Sequence, residues 1–328
     1  MHIGNHYKIT EFLLWTRRDI YVLVILATIP TVLFQVFDLK WIAIPWVPVA
    51  LVGTAAAFIV GFKNTQTYNR LWEARQIWGA IVNTSRTWGI MSKDFVNADK
   101  TDTQQLIYRH CAWLTALRFQ LRKPQSWENS NKKHNIEYRN YYSVPEWENN
   151  LEEELKKYLS EEELNYVVGK KNRATQLIAL QSKHLRNLRA KGKIDYYEYV
   201  EMERRLADLY DHQGKCERIK NFPYPRQFAS INLFFVWLLV LMLPFGMLNE
   251  FQKLGEHFAW LTIPFTVIVS WVFTSMEKVG EATENPFEGG ANDIPMAAMC
   301  RTIEIDLRDM LDESQLPEPI SPTNNILM

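Results

Sequence analysis

Four stretches of the chain lack any Asp, Glu, Lys or Arg: residues 20–37, 41–62, 228–249 and 258–276, which are 18, 22, 22 and 19 residues long. A long, strongly charged middle separates the second from the third. About 20 residues rising ~1.5 Å each cross a hydrocarbon core of roughly 30 Å, so each stretch predicts a membrane-spanning helix. Helices buried in a large soluble domain are the competing reading, and four such runs, paired through very short loops, weigh against it. Pro30 removes one backbone hydrogen bond from the first span and predicts a bend there or an end to its regular part. Pro45 and Pro48 sit near the start of the second, where missing N–H groups cost little. Trp41, Trp46 and Trp260 are placed as interfacial anchors. Ahead of the first span, Ile9, Phe12, Leu13 and Trp15 fall near one helical side, before Arg17 and Arg18. That spacing suits a short helix on the membrane surface or an ordinary packed leader helix. The first span exceeds a usual signal-peptide core, and no small-residue cleavage site follows it, so it is expected to be retained.

The middle reads as helical, with apolar residues spaced by three and four over 106–121, 151–168, 174–190 and 196–210. Ser160 with Glu163 forms the pattern of a capping box, and Asp195 can cap the helix after it. Residues 123–144 are polar and aromatic and predict a loop or insertion. A turn is expected over 284–290, then a helix over 296–311. From Asp312 the prolines and polar residues predict an extended tail without a core of its own. The expected fold is therefore an all-α membrane protein, divided into 1–62, 63–227, 228–276, 277–311 and 312–328. No internal repeat is apparent.

The mean hydropathy of −0.22 hides the spans, because averaging mixes residues that face lipid with residues that face water. With 37 basic and 37 acidic residues, the balanced charge argues against nucleic acid as a partner. Its distribution says more: 29 of the 37 Lys and Arg residues lie within 63–226. The positive-inside bias then puts the middle segment and both termini in the cytoplasm. Cys111, Cys216 and Cys300 show no metal-ligand spacing and are expected as reduced thiols. Zinc-protease, serine-hydrolase and P-loop motifs are absent, and the seven histidines are scattered. Catalysis is the weaker class, and no cofactor or metal is called for. The acidic trios at 152–154 and 161–163 read as solvated helix faces.

The second span carries a more specific pattern. Thr54, Phe58 and Phe62 recur every four residues and share one stripe, with Gly53, Ala55, Ala56, Ala57 and Gly61 as small neighbours. Packed around an axis in several copies, Phe58 and Phe62 would form stacked apolar rings, a constriction that gates by dewetting. Packing of both rings against a neighbouring helix is the plainer reading of the spacing. Beyond Phe62 come Lys63, Asn64, Gln66, Asn69 and Arg70, so an apolar neck would open at once into a polar vestibule.

Three motifs resemble the bestrophin family, especially its bacterial branch. One is Gly-Phe-Lys-Asn-Thr-Gln-Thr-Tyr-Asn-Arg-Leu-Trp-Glu-Ala-Arg over 61–75. The next, Cys-Glu-Arg-Ile-Lys-Asn-Phe-Pro-Tyr-Pro over 216–225, precedes the third span. The last joins Asn285-Pro286-Phe287 to Asn292-Asp293-Ile294-Pro295 and to Arg-Thr-Ile-Glu-Ile-Asp-Leu over 301–307. The resemblance covers about residues 7–311 and leaves 123–144 outside the pattern. It implies a homopentameric ion channel in membrane lipid, with Thr54, Phe58 and Phe62 lining the neck and Gln66, Asn69 and Arg70 lining the vestibule. The outer neck position is often larger and apolar in that family, so Thr54 implies a wetter outer ring. A second constriction is implied near the helix after Asp195, with Tyr197 and Ile194 as candidates. Eukaryotic members bind Ca²⁺ with a dense acidic run after the Asn-Pro-Phe turn. Here Glu288 and Asp293 alone remain around a Gly-Gly break, which implies no such Ca²⁺ gating, and Asn285, Pro286, Phe287 and Asp293 are expected as a structural turn. The permeant monovalent ion stays open between chloride-type anions and sodium-type cations, with the bacterial branch leaning to cations. Two rivals lack a central pore: a membrane scaffold or sensor, and a small-molecule carrier or enzyme. The carrier would need an ionisable side chain within a span, and the four runs have none.

Overall fold

The computed structural model describes residues 1–97 and 99–328. Twelve helices follow in order: α1 Ile9–Gln35, α2 Trp46–Asp94, α3 Lys100–Arg122, α4 Lys133–Arg139, α5 Pro145–Glu148, α6 Leu151–Lys156, α7 Glu161–Val168, α8 Arg173–Ala190, α9 Tyr196–Asn221, α10 Arg226–Gln252, α11 Thr262–Ala282 and α12 Met296–Asp309. Short 3₁₀ turns at Lys40–Ile42 and Glu256–Leu261 precede α2 and α11. Two compact units result. The membrane unit is Gly4–Arg70 with Pro223–Glu284, and the extramembrane unit is Met1–Ile3, Leu71–Phe222 and Asn285–Met328. Two of the divisions fall about two turns beyond an apolar run, at Arg70 and Glu284, because α2 and α11 continue past their last uncharged residue.

In the membrane unit all four expected spans are present, and each is long and apolar enough to cross a bilayer. The segment expected as a separate leader is instead the first part of α1, since no helix-breaking residue separates Trp15 from the span. Pro30 does not end that helix, which runs on to Gln35. One side of α11 carries buried Thr262, Thr266, Ser270 and Thr274 at four-residue spacing. Small hydroxyl residues let helices approach closely in lipid. The indole of Trp271 donates to the Thr16 hydroxyl of α1 at 2.9 Å, and Lys278 pairs with Asp19 at 2.7 Å.

The crossing of α2 with α11 is polar and tight. Lys63 and Glu277, both buried, form an ion pair at 2.6 Å. Asn64 Nδ2 donates to the Met276 carbonyl at 3.1 Å, and the Thr283 hydroxyl meets that of Thr67 at 3.0 Å. Gly280 permits this approach, because a Cβ there would lie 2.2 Å from Asn64 Oδ1.

In the extramembrane unit α3 is the hub, packed against α5, α6, α8, α9 and α12. Leu106 to Arg118 is buried except for Tyr108, which is half-buried, so α3 has no solvated face for Arg109 and Arg118. Each finds acids instead. Arg109 pairs with Glu163 and donates to Gln181 at 2.9 Å; Arg118 meets Glu146 at 2.8 Å and Glu154 at 3.4 Å; Arg122 meets Glu146 at 3.3 Å. The acidic trios are thus only partly solvated: the third carboxylate of each is drawn inward by an arginine of α3. The capping box at Ser160 is correspondingly halved. Ser160 accepts from the Glu163 N–H, but the Glu163 carboxylate turns to Arg109. At Asp195 both halves of the box are present. The helix expected over 151–168 is broken into α6 and α7.

The 123–144 segment is not wholly loop, for it carries α4, and it gains a partner no pattern announced. Tyr142 and Val144 form a small core with Ile326 and Met328, and Asn324 donates to the Tyr141 carbonyl at 2.7 Å. The tail is extended as expected, but its end is buried. Among the described residues there is no strand, only isolated bridges from Ile326 to His2 and Thr323. All three thiols are free and buried.

Two outcomes are expected. Removing one partner of a buried ion pair strands a charge at a cost of about 3–5 kcal/mol. Glu277→Gln and Lys63→Met should each lower the midpoint of thermal unfolding in detergent, and the double variant should recover part of the loss. The second concerns His110, fully buried between Trp88 and Trp113 with its Nε2 2.9 Å from the Ser85 hydroxyl. Burial pushes its pKa down to about 3. An unfolded histidine takes up its proton near pH 6.5, so this contribution to stability is complete above about pH 6.5 and is lost as the pH falls toward 3. Denaturant unfolding from pH 6.5 to 4 should show a slope about 1.4 kcal/mol per pH unit smaller in His110→Gln than in wild type.

Candidate functional site

Two opposite sides of α2 behave differently within the membrane unit. Val49, Ala56, Val60, Lys63 and Thr67 are buried and lie within about 60° of one another at 100° per residue. Val60 packs with Leu23, Val236 and Val240, and Val49 and Ala56 pack with Leu239 and Leu243. Gly246 of α10 admits Val49, whose methyl would lie 2.7 Å from an added Cβ. About half a turn away, Leu51, Thr54, Phe58, Phe62, Thr65 and Asn69 are all exposed. Only 11% of the most apolar window of α2 is buried, against 28%, 44% and 33% for the other three spans. The helix carrying the stripe is therefore the one this protomer covers least.

The structure brings Thr54, Phe58 and Phe62 onto one uncovered surface. Phe58 is 76% exposed and touches no other ring among the described residues, whereas Phe62 is 45% exposed and leans on Phe228 of α10 at 6.1 Å between centroids. The Thr54 hydroxyl donates to the Ala50 carbonyl at 2.9 Å. That bond satisfies the threonine's donor within the helix and leaves its oxygen free to accept. No charged residue lies on this side of α2 between Trp46 and Phe62.

The polar stretch below the stripe divides. Gln66 and Asn69 continue the exposed side, and Arg70 is half-buried. Lys63 and Asn64, which follow Phe62 directly, turn to α11 instead. The sequence holds a signal for this: Lys63 falls on the side of Val49, Ala56 and Val60, and a charge on a core side needs a partner. Glu277, one residue past an apolar run, supplies it. Asn232 of α10 approaches the same carboxylate at 3.5 Å. At the base of the unit Arg226 pairs with Glu284 at 2.5 Å, while burial pushes the Glu284 carboxyl above its ordinary pKa.

In the extramembrane unit the two candidates near Asp195 separate. Tyr197 is 77% exposed at the start of α9, with Tyr196 packed edge-on beside it. Ile194 is 5% exposed and belongs to the main core of the unit.

The Asn285-Pro286-Phe287 turn lies in the same unit, with Phe287 in the core. Asp293 Oδ2 accepts from the Gly289 and Gly290 N–H groups at 2.7 and 3.0 Å and lies 3.5 Å from Arg122. Glu288 accepts from the Asn129 N–H at 2.9 Å and from Asn285 Nδ2 at 3.3 Å. Gly289 has φ of 90° with Trp147 packed on it, so both its backbone and its lack of a side chain are used. Burial raises the Asp293 pKa to about 6 and the Glu288 pKa well above its ordinary value. Two carboxylates already engaged by amides, and poor at holding their charge, do not fit a cation that takes six to eight oxygen ligands. Among the described residues no three His, Cys, Asp or Glu side chains gather as a metal site.

The chain as a whole is similar to known proteins. The voltage-dependent anion channel-forming protein YneE of Escherichia coli K12 is 28% identical over 297 residues, covering 88% of this chain and 85% of that protein. A voltage-dependent anion channel-forming protein of Mesorhizobium japonicum is 25% identical, covering 81% and 75%. The crystal structure of a bacterial bestrophin homologue from Klebsiella pneumoniae superposes with a TM-score of 0.77 at 25% identity, covering 94% of this chain and all of that one. The family described as Bacterial/Fungal Bestrophin protein matches residues 16–309, so this all-helical integral membrane chain belongs to the bestrophins, a family of ion channels rather than enzymes.

Proposed function

We propose that the chain forms a homopentamer around one central pore and passes monovalent ions passively, with anions preferred. The observation that carries this reading is the uncharged, uncovered side of α2 over Thr54, Phe58 and Phe62. Brought around an axis, Phe58 and Phe62 make two stacked apolar rings, and a hydrophobic constriction closes by dewetting without a moving plug. Gln66 and Asn69, with Arg70 at their edge, line the polar vestibule where the ion regains hydrogen-bonding partners. Tyr197, exposed at the start of α9, forms the second constriction farther along the path.

The neck does not choose the sign of the ion. Its stripe is uncharged, and the nearest charge, Lys63, is neutralised by Glu277. The preference for anions rests on the relatives described as anion channel-forming, which outweigh the leaning to cations. The concentration of Lys and Arg within 63–226 supports a cytoplasmic extramembrane unit and cytoplasmic termini in a bacterial inner membrane. Exposed apolar residues of α1, α10 and α11, such as Ile25, Phe234 and Ile268, suit contact with lipid.

Reversal potentials of proteoliposomes in asymmetric NaCl test the reading. Wild type should conduct, with a reversal potential displaced toward that of chloride. Phe58→Ala and Phe62→Ala should conduct several-fold more without a change of sign, because they widen the neck and add no charge. A silent wild type indistinguishable from both variants would remove the neck from the proposal, and a displacement toward sodium would reverse the selectivity.

A further inference from the structure

A cavity of about 290 Å³ lies in the extramembrane unit among α3, the segment around α6 and α12. Its size is near the lower end of small-molecule sites, which run from roughly 300 to 1,000 Å³. Cys111 and Thr115 of α3 and Ala297 and Cys300 of α12 contribute to its wall, and Ile320 of the tail closes one side. The tail is held there by Arg301, whose Nη1 donates to the Glu318 carbonyl at 2.9 Å, and by Arg308, which donates to the Gln315 carbonyl at 3.0 Å.

The wall of the cavity carries charges of both signs. Arg118, Lys157 and Arg301 line it together with Glu154 and Glu304. Glu146, fully buried behind Arg118, supplies a third carboxylate at 2.8 Å. Glu304 also meets Arg308 at 3.3 Å, and Arg308 in turn meets Glu313 at 2.7 Å, so four cations balance four anions. They fall into two groups on different elements. Glu154 is shared by Arg118 at 3.4 Å and Lys157 at 2.5 Å, and Glu304 accepts from Arg301 at 3.1 Å. A lone anion or a lone cation entering such a wall meets as much repulsion as attraction. A molecule carrying one charge of each sign adds no net charge and matches both groups.

We propose that this cavity is a binding site for a small zwitterion of amino-acid size, its carboxylate against Arg301 and its ammonium against Glu154, with the tail as one wall. The cavity belongs to the extramembrane unit and the α2 stripe to the membrane unit, and the proposal does not depend on which ion the pore prefers.

Titration calorimetry on the purified full-length protein in detergent tests this, using the standard L-amino acids one at a time. At least one should bind saturably, one molecule per chain. For the tightest, the analogue lacking the amine and the analogue lacking the carboxylate should each bind at least about tenfold more weakly. Glu154→Gln and Arg301→Gln should weaken binding by a similar factor, and Ala297→Met should abolish it by filling the cavity, with unfolding midpoints measured alongside. Glu152→Gln, on the same helix but outside the cavity, should leave binding unchanged. No saturable heat from any amino acid would overturn the proposal. So would equal binding by the analogue lacking the amine, or full affinity in Glu154→Gln and Ala297→Met variants that retain the wild-type unfolding midpoint.

Discussion

The ion pair between Lys63 and Glu277 is the contact on which the membrane unit depends. A lysine on the core side of a span is tolerable only if its charge is matched, because desolvating an unpaired ammonium costs several kcal/mol. Matching it fixes the rotation of α2 about its own axis. With Lys63 turned to α11 and Val49, Ala56 and Val60 turned to α10 and α1, the stripe from Thr54 to Asn69 has no freedom but to face outward. Gly280 sets how close the two helices come, and the bonds from Asn64 and Thr67 hold the register along them. The exposed surface of α2 is thus defined by what its other side is bound to.

A comparable logic governs the extramembrane unit. α3 is surrounded on all sides, so apolar packing and charge neutralisation must be met together. Trp78, Trp88 and Trp113 supply the bulk of that core, each burying roughly 150–250 Å² of ring surface. Arg109, Arg118 and Arg122 then draw acids from α5, α6, α7 and the turn at Asp293 into contact with the hub. Hydrophobic burial is indifferent to direction; these pairs are not. They select where the short helices dock, which apolar area alone would leave open.

This division explains what could be read from the sequence. The spans were legible because a bilayer demands some 20 uncharged residues in a row, and no tertiary contact substitutes for that. The stripe was legible because helical period is a local property, and the cap at Asp195 because its partner Glu198 is three residues away. Long-range pairing was not. Nothing near Glu163 announces Arg109, so the capping box at Ser160 looked complete when only half of it forms. Ile194 and Tyr197 stand three residues apart at the entry to one helix, and only the packed core separates a buried residue from an exposed one. The tail and the 123–144 segment each lack a core of their own; what neither shows alone is that Ile326 and Met328 complete the pocket around Tyr142.

The two sides of α2 also differ in how freely they can change. Residues of the buried side are each tied to a partner on another helix, so a substitution there demands a second one. Those of the stripe stabilise little within the protomer, where exposed substitutions away from caps and pairs usually shift stability by no more than about 0.5 kcal/mol. The strip over Thr54, Phe58 and Phe62 can therefore vary in chemistry while the architecture beneath it is kept.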